Sequence, residues 1–163
     1  MLTKTVLKAL NDQVNAELYS AYLYLGMSAW CDGKNLPGFA GWMRAQFGEE
    51  QAHALKIYDY VLDQGGDVAL KPIDAPKAAF KSLQDVWETT LKHEQHVTAL
   101  IHKLYALAQK EQDFATQALM QWYVTEQVEE EKNASTILEQ VKMVGTSSSA
   151  IFFIDRHVGK SRE

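Results

Sequence analysis

The chain is predicted to fold as an all-α four-helix bundle, with one long crossover between helices two and three and a short C-terminal fifth helix. Three observations predict this. Four long stretches carry core-type residues alternating three and four apart, the spacing of one face of an α-helix. The helix breakers Pro37, Pro72 and Pro76, with most of the glycines, fall between those stretches. The connections between stretches run short, long, short, which for packed helices means antiparallel, parallel and antiparallel neighbours.

The first helix is expected over residues 4–32, on the seam Leu7, Leu10, Val14, Glu17, Ala21 and Tyr24. Gly33–Leu36 then turns the chain into a second helix over 37–64, with seam Phe39, Met43, Gln46, Glu50, His53, Ile57 and Tyr60. Residues Gly65 to Phe80 show no helical pattern and hold two prolines. A helix of this length is roughly 42 Å long, and sixteen extended residues reach roughly 50 Å. The connection can therefore run back along the whole bundle. The third helix is expected over 81–110, on Leu83, Trp87, Thr90, Glu94, Val97, Ile101 and Leu104. After a turn at about Glu111–Asp113, the fourth covers 114–144 on Met120, Tyr123, Gln127, Glu130, Ala134, Ile137 and Val141. A fifth, at about 148–157, begins at a serine cap and carries Ile151, Phe152, Phe153 and Ile154. So short and apolar a helix is not stable alone and would leave an exposed patch on a monomer, which points to assembly; the plainer reading is that it docks on its own bundle.

The 163 residues, 47% hydrophobic and 23% charged, suit a single domain over 1–163, with the bundle at 4–144. No apolar run approaches the ~20 residues that span a bilayer, so no membrane partner is expected. The first residues turn polar too soon for a signal peptide, and the lone Cys31 cannot form an internal disulfide or a CxxC metal knuckle. A cytoplasmic location is expected. Net charge is −5 with no basic tail, which excludes nucleic acid as a favoured partner and leaves cations.

The informative anomaly is acidic. Glu17, Glu50, His53, Glu94, Gln127 and Glu130 occupy seam positions that the pattern otherwise gives to core side chains, near the middle of each helix. A buried carboxylate is costly unless neutralised, and several at one level repel one another unless a cation lies between them. Two divalent metals resolve this, and oxygen ligands with one imidazole suit iron or manganese. Glu50 and His53, three apart, point the same way as an E-x-x-H motif. Bundle di-metal sites take one Glu from each of two helices and an E-x-x-H from each of the other two. Here Glu17 and Glu94 are the single donors, and the second motif is altered to Gln127 and Glu130.

Each piece has a plainer reading. A lone seam acid is usually a register error, and the run Glu126, Glu129, Glu130, Glu131 is ordinarily a solvated face. Neither explains the shared level across four helices. Tyr24, two turns from Glu17, is either a packed aromatic or a hydrogen-bond donor to a site carboxylate and an electron source. Trp122 is a second candidate electron source or a packing residue. His93, His96, His102 and His157 lack a paired ligand at helical spacing and are expected at the surface or an interface.

The stretches NAELYSAYLYL (15–25), GFAGWMRAQFGEEQAHALKIYDYVLDQGG (38–66), KHEQHVT (92–98), DFATQALMQWYVTEQVEEE (113–131) and IFFID (151–155) resemble those of prokaryotic non-haem ferritins, across essentially the whole chain. The resemblance implies a twenty-four-subunit hollow cage that oxidises Fe(II) with oxygen or hydrogen peroxide at a di-iron ferroxidase centre and stores ferric mineral inside. It implies that Glu17, Glu50 and His53 hold the first iron. Glu50 bridges to the second, held also by Glu94 and Glu130 with Gln127 close by. It further implies a third iron site at Glu49, Glu126, Glu129 and Glu130, a tyrosine beside the centre at Tyr24, and a fifth helix packed around the fourfold axis. Haem is not expected: haem-containing relatives have Met after Glu50, where this chain has Gln51, and His where it has Glu130. At the positions matched to the acidic threefold pore of animal ferritins this chain has Gln117 and Met120, leaving the iron route open. The rival readings are a di-iron oxidase or peroxidase with no storage role, and a metal-free helical scaffold.

Overall fold

A computed structural model describes residues 2–160. Five helices follow in order: α1 at Lys4–Asp32, α2 at Pro37–Asp63, α3 at Leu83–Lys110, α4 at Phe114–Val144 and α5 at Ser148–Lys160. No strand occurs among the described residues. Local chemistry explains most of the boundaries. The Thr3 and Asp113 side chains accept from Val6 N and Thr116 N, supplying acceptors to the open N-termini of α1 and α4. α3 starts at Leu83, later than the spacing predicts, because Ser82 caps it: Asp85 N donates to Ser82 Oγ, while the Asp85 carboxylate accepts from Lys81 N just before the cap. α2 ends at Asp63, followed by Gly65 at φ +70°, a conformation glycine adopts freely. α5 runs to Lys160, past the expected end at 157.

The crossover lies along α1. Asn11 donates to Asp67 O at 3.1 Å and accepts from Ala69 N at 2.8 Å, and Lys71 pairs with Asp12. Pro76 then packs over Gly26, and Phe80 meets Trp30 edge-on at 5.8 Å. The segment thus climbs from the first turns of α1 to its last, and α3 starts at the end where α2 starts. Trp87 near the start of α3 packs on Phe39 and Trp42 near the start of α2, with ring centroids 5.9 and 4.9 Å apart. Helices α2 and α3 are therefore parallel. α4 returns antiparallel to α3, with Gln117 beside Ala108 and Gln127 beside Glu94.

Two apolar clusters fill the bundle. One surrounds Leu23, Met27, Phe39, Met43, Trp87 and Leu138, and the other Leu10, Val14, Ile57, Ile101, Met120 and Tyr123. Between them the seams carry the buried polar residues Glu17, Gln46, Glu50, His53, Glu94, Gln127 and Glu130. α5 docks on α2 and α4 of its own chain. Its Asp155 carboxylate, 3% exposed, accepts from Gly38 N at 3.0 Å and Phe39 N at 2.8 Å. α2 has no side-chain cap of its own at Leu36, and this contact supplies one. A Cβ at position 38 would lie 1.8 Å from Asp155 O, so the close approach requires glycine. Phe152 and Phe153 face outward, 57% and 76% exposed. Among the described residues no helix is long and apolar enough to cross a membrane.

Candidate metal centre

Each long helix delivers its polar seam residue to one level because the three–four spacing keeps those positions on the inward face. Glu17 comes from α1, Glu50 and His53 from α2, Glu94 from α3, and Gln127 and Glu130 from α4, all buried. Glu17, Glu50 and His53 bring one ligand atom each within 4.8 Å of one another, the only such trio of His, Cys, Asp and Glu among the described residues. His53 Nδ1 lies 3.5 Å from Glu50 Oε2, one helical turn away.

Amides and hydroxyls join the rest of the layer. Gln46 Nε2 donates to Glu130 Oε2 at 2.8 Å and to Glu50 Oε1 at 3.3 Å, so it ties α2 to α4. Gln127 Nε2 lies 3.1 Å from Glu94 Oε2 and 3.2 Å from Thr98 Oγ1. The Tyr24 hydroxyl donates to Glu94 Oε1. Gln13 Nε2 donates to Glu17 Oε1 at 2.7 Å, and Tyr123 OH to the His53 carbonyl at 2.7 Å. Gln13 and Thr98 are site neighbours that sequence reasoning did not single out, and it placed Gln46 on the seam without giving it a role at the site. For the two glutamines a signal existed: each stands four residues before a site acid, one turn away on the same face.

Without a cation the layer holds protons. Burial drives the Glu17 carboxyl well above its ordinary value, and the neighbouring Glu50 adds to this. Burial likewise raises Glu50, reinforced by Glu94 and Glu130. It raises Glu94 too, against the opposing hydrogen bonds from Tyr24 and Gln127. The Tyr24 phenol is held well above its usual range by burial and then by Glu94. A divalent cation would reverse the balance, because it supplies the charge that lets these acids ionise while buried. The arrangement can therefore bind hard cations through carboxylate oxygens, exchanging protons for metal.

The remaining candidates are distributed unevenly. Glu49 and Glu126 are half-buried, and Glu129 is exposed, lining a cleft between α4 and α5 with Trp42 and His157. Trp122 sets its ring edge against His53, centroids 5.3 Å apart, and is 37% exposed. His96, His102 and His157 are exposed as expected, but His93 is not. Its Nε2 lies 2.8 Å from Ser20 Oγ and its ring meets Tyr19 and Tyr24; burial pushes it down to about 4. For His93 the surface half of the expectation is corrected, since the flank of α3 that carries it is covered by α1. Met120, one of the two positions matched to the animal pore, is fully buried in the apolar core of its own chain.

Comparison with known proteins gives a consistent picture. The sequence profile of the ferritin-like domain matches residues 7–144. A probable bacterial non-heme ferritin-like protein of Haemophilus influenzae is 40% identical over 159 residues, covering 98% of this chain and 96% of its own. A bacterial non-heme ferritin of Staphylococcus haemolyticus is 38% identical over 158 residues, 97% of this chain and 95% of its own. Among solved structures, an open pore ferritin from the hyperthermophilic archaeon Archaeoglobus fulgidus is 42% identical with a TM-score of 0.96, covering 98% of both chains. An engineered closed form of that ferritin also has a TM-score of 0.96.

Proposed function

The chain belongs to the ferritin-like family, and from that premise we propose that it oxidises Fe(II) at the mid-bundle layer and stores the ferric product inside a hollow shell of its own copies. The observation that carries this reading is the buried acid layer, to which all four long helices contribute. Such a layer costs stability in an empty bundle and serves one purpose well, the capture of hard cations.

Iron is the substrate here. Glu17, Glu50 and His53 would hold one ferrous ion. Glu50, Glu94 and Glu130 would hold its neighbour, with Gln127 alongside. Anionic oxygen ligands favour the higher charge of Fe(III), which drives oxidation. Each iron gives up one electron, and dioxygen takes two electrons with two protons to become hydrogen peroxide. Where peroxide is the oxidant, it takes two electrons and two protons to become two waters. Gln13 and Gln46 hold the acids in place through their amide donors. Tyr24 orients Glu94 and can supply an electron, its phenolic proton passing to that carboxylate. Glu49, Glu126 and Glu129, with Glu130, would serve as a third iron site on the way to storage. The proposed assembly has twenty-four subunits and works in the cytoplasm. A di-iron oxidase without storage is the alternative.

One experiment separates these readings. Aerobic Fe(II) is added to the native protein and to the Glu17→Ala, Glu50→Ala and His53→Ala variants, following ferric absorbance and then native mass. The expected result is fast oxidation and an iron-filled shell for the native protein, with variants that assemble but oxidise slowly. Variants as fast as the native protein would overturn the site, and a small iron-poor oligomer would favour the oxidase.

A further inference from the structure

The face of α2 that carries Glu50 and His53 continues one turn on to Lys56, whose Nζ lies 3.9 Å from the ring centroid of Trp122 on α4. The same indole meets His53 edge-on at 5.3 Å and Tyr123 at 4.8 Å. A side chain that loses electrons readily thus stands beside the Glu17–Glu50–His53 trio, under a fixed positive charge.

We propose that Lys56 guards Trp122 against one-electron oxidation, so that the indole beside His53 stays reduced while iron is oxidised. The inference rests on the reading of the layer as an oxidation centre. The ammonium is attracted to the electron-rich face of the neutral indole. Oxidation would remove one electron from that π system, pass it across His53 to dioxygen or peroxide at the site, and leave a radical cation. Attraction would then become repulsion, so the lysine disfavours the step.

The two aromatic candidates for electron donation therefore differ in kind. Tyr24 is 1% exposed and donates its hydroxyl hydrogen to Glu94, so losing an electron and a proton together leaves a neutral radical. Trp122 is 37% exposed, and a radical there would meet dissolved oxygen and be converted irreversibly to oxygenated products. Guarding the exposed ring while leaving the buried one able to react protects the protein during turnover.

The test compares the native protein, Lys56→Gln, Lys56→Arg and Trp122→Phe in two arms. In the first, metal-free full-length protein is mixed with limiting hexachloroiridate(IV), and oxidation of the Trp122 peptide is followed by mass spectrometry. This oxidant is a dianion whose approach is slowed by loss of a surface cation, so an acceleration cannot come from encounter. Lys56→Gln should oxidise at Trp122 about fivefold faster than native, the effect of losing about 1 kcal/mol of attraction. Lys56→Arg should match native, and Trp122→Phe should lack the product. In the second arm, the same proteins turn over Fe(II) in air, and oxygen adducts on Trp122 should accumulate only in Lys56→Gln. Equal rates for native and Lys56→Gln in the first arm, Lys56→Arg as fast as Lys56→Gln, or no adducts in the second arm despite turnover would overturn the guard. Absence of Fe(II) oxidation by the native protein would instead overturn the proposed function, while the first arm would still judge Lys56.

Discussion

Glu17 illustrates how one side chain links burial, protonation and metal. Its folded-state value stands well above the ordinary 4.5, with burial the largest cause. The native state then keeps a proton that the unfolded chain has already released, so stability falls as pH rises from about 4.5 toward the raised value. His93 acts with opposite sign, adding stability as pH rises from about 4 toward its ordinary 6.5. Both the native protein and Glu17→Gln carry His93, so the difference between them isolates Glu17. In metal-free protein the melting temperature of native should decline more steeply between about pH 5 and 8 than that of Glu17→Gln. Zn(II) near neutral pH should raise the native value more than the variant's; parallel pH curves would contradict this account. The six seam residues were legible in the sequence because a periodic pattern marks where a core residue is due and an acid, a histidine or a glutamine stands instead. His93 was not, since its position flanks the seam and its partner Ser20 is 73 residues away.

Elements were legible wherever local chemistry sets their ends. The bounds of α1 and α4 follow from spacing and from the Thr3 and Asp113 caps. The crossover's direction followed from its length, but its path did not, because it depends on Asn11, Gly26 and Trp30 of α1. Docking of α5 on its own bundle was the plainer reading of its apolar face, but the means was not legible: Asp155 in an apolar helix gives no sign that it caps α2 from 116 residues away. Replacing Asp155 with Ala should lower stability by about 1 kcal/mol, the usual cost of losing a helix cap. Amide exchange should quicken in the first turn of α2 and through α5 while α3 stays protected. Gly38→Ala should loosen the same two segments, because its Cβ has no room against Asp155 O. Unchanged exchange at α5 in both variants would mean that the helix is held by its apolar contacts alone.

Across the whole molecule the design is two apolar halves with a polar layer between them. Filling that level with hydrophobic side chains would give a more stable bundle; under the proposed function the polar layer is kept to hold metal. α5 adds a second feature at this scale: held to its own chain by Asp155, it turns Phe152 and Phe153 outward. Anomalous diffraction at the iron edge, from crystals soaked with Fe(II) without oxygen, tests the central claim most directly. Two peaks are predicted within the layer, one against Glu17, Glu50 and His53 and one against Glu50, Glu94 and Glu130. A layer that stays free of iron while the metal collects only at surface acids would contradict it.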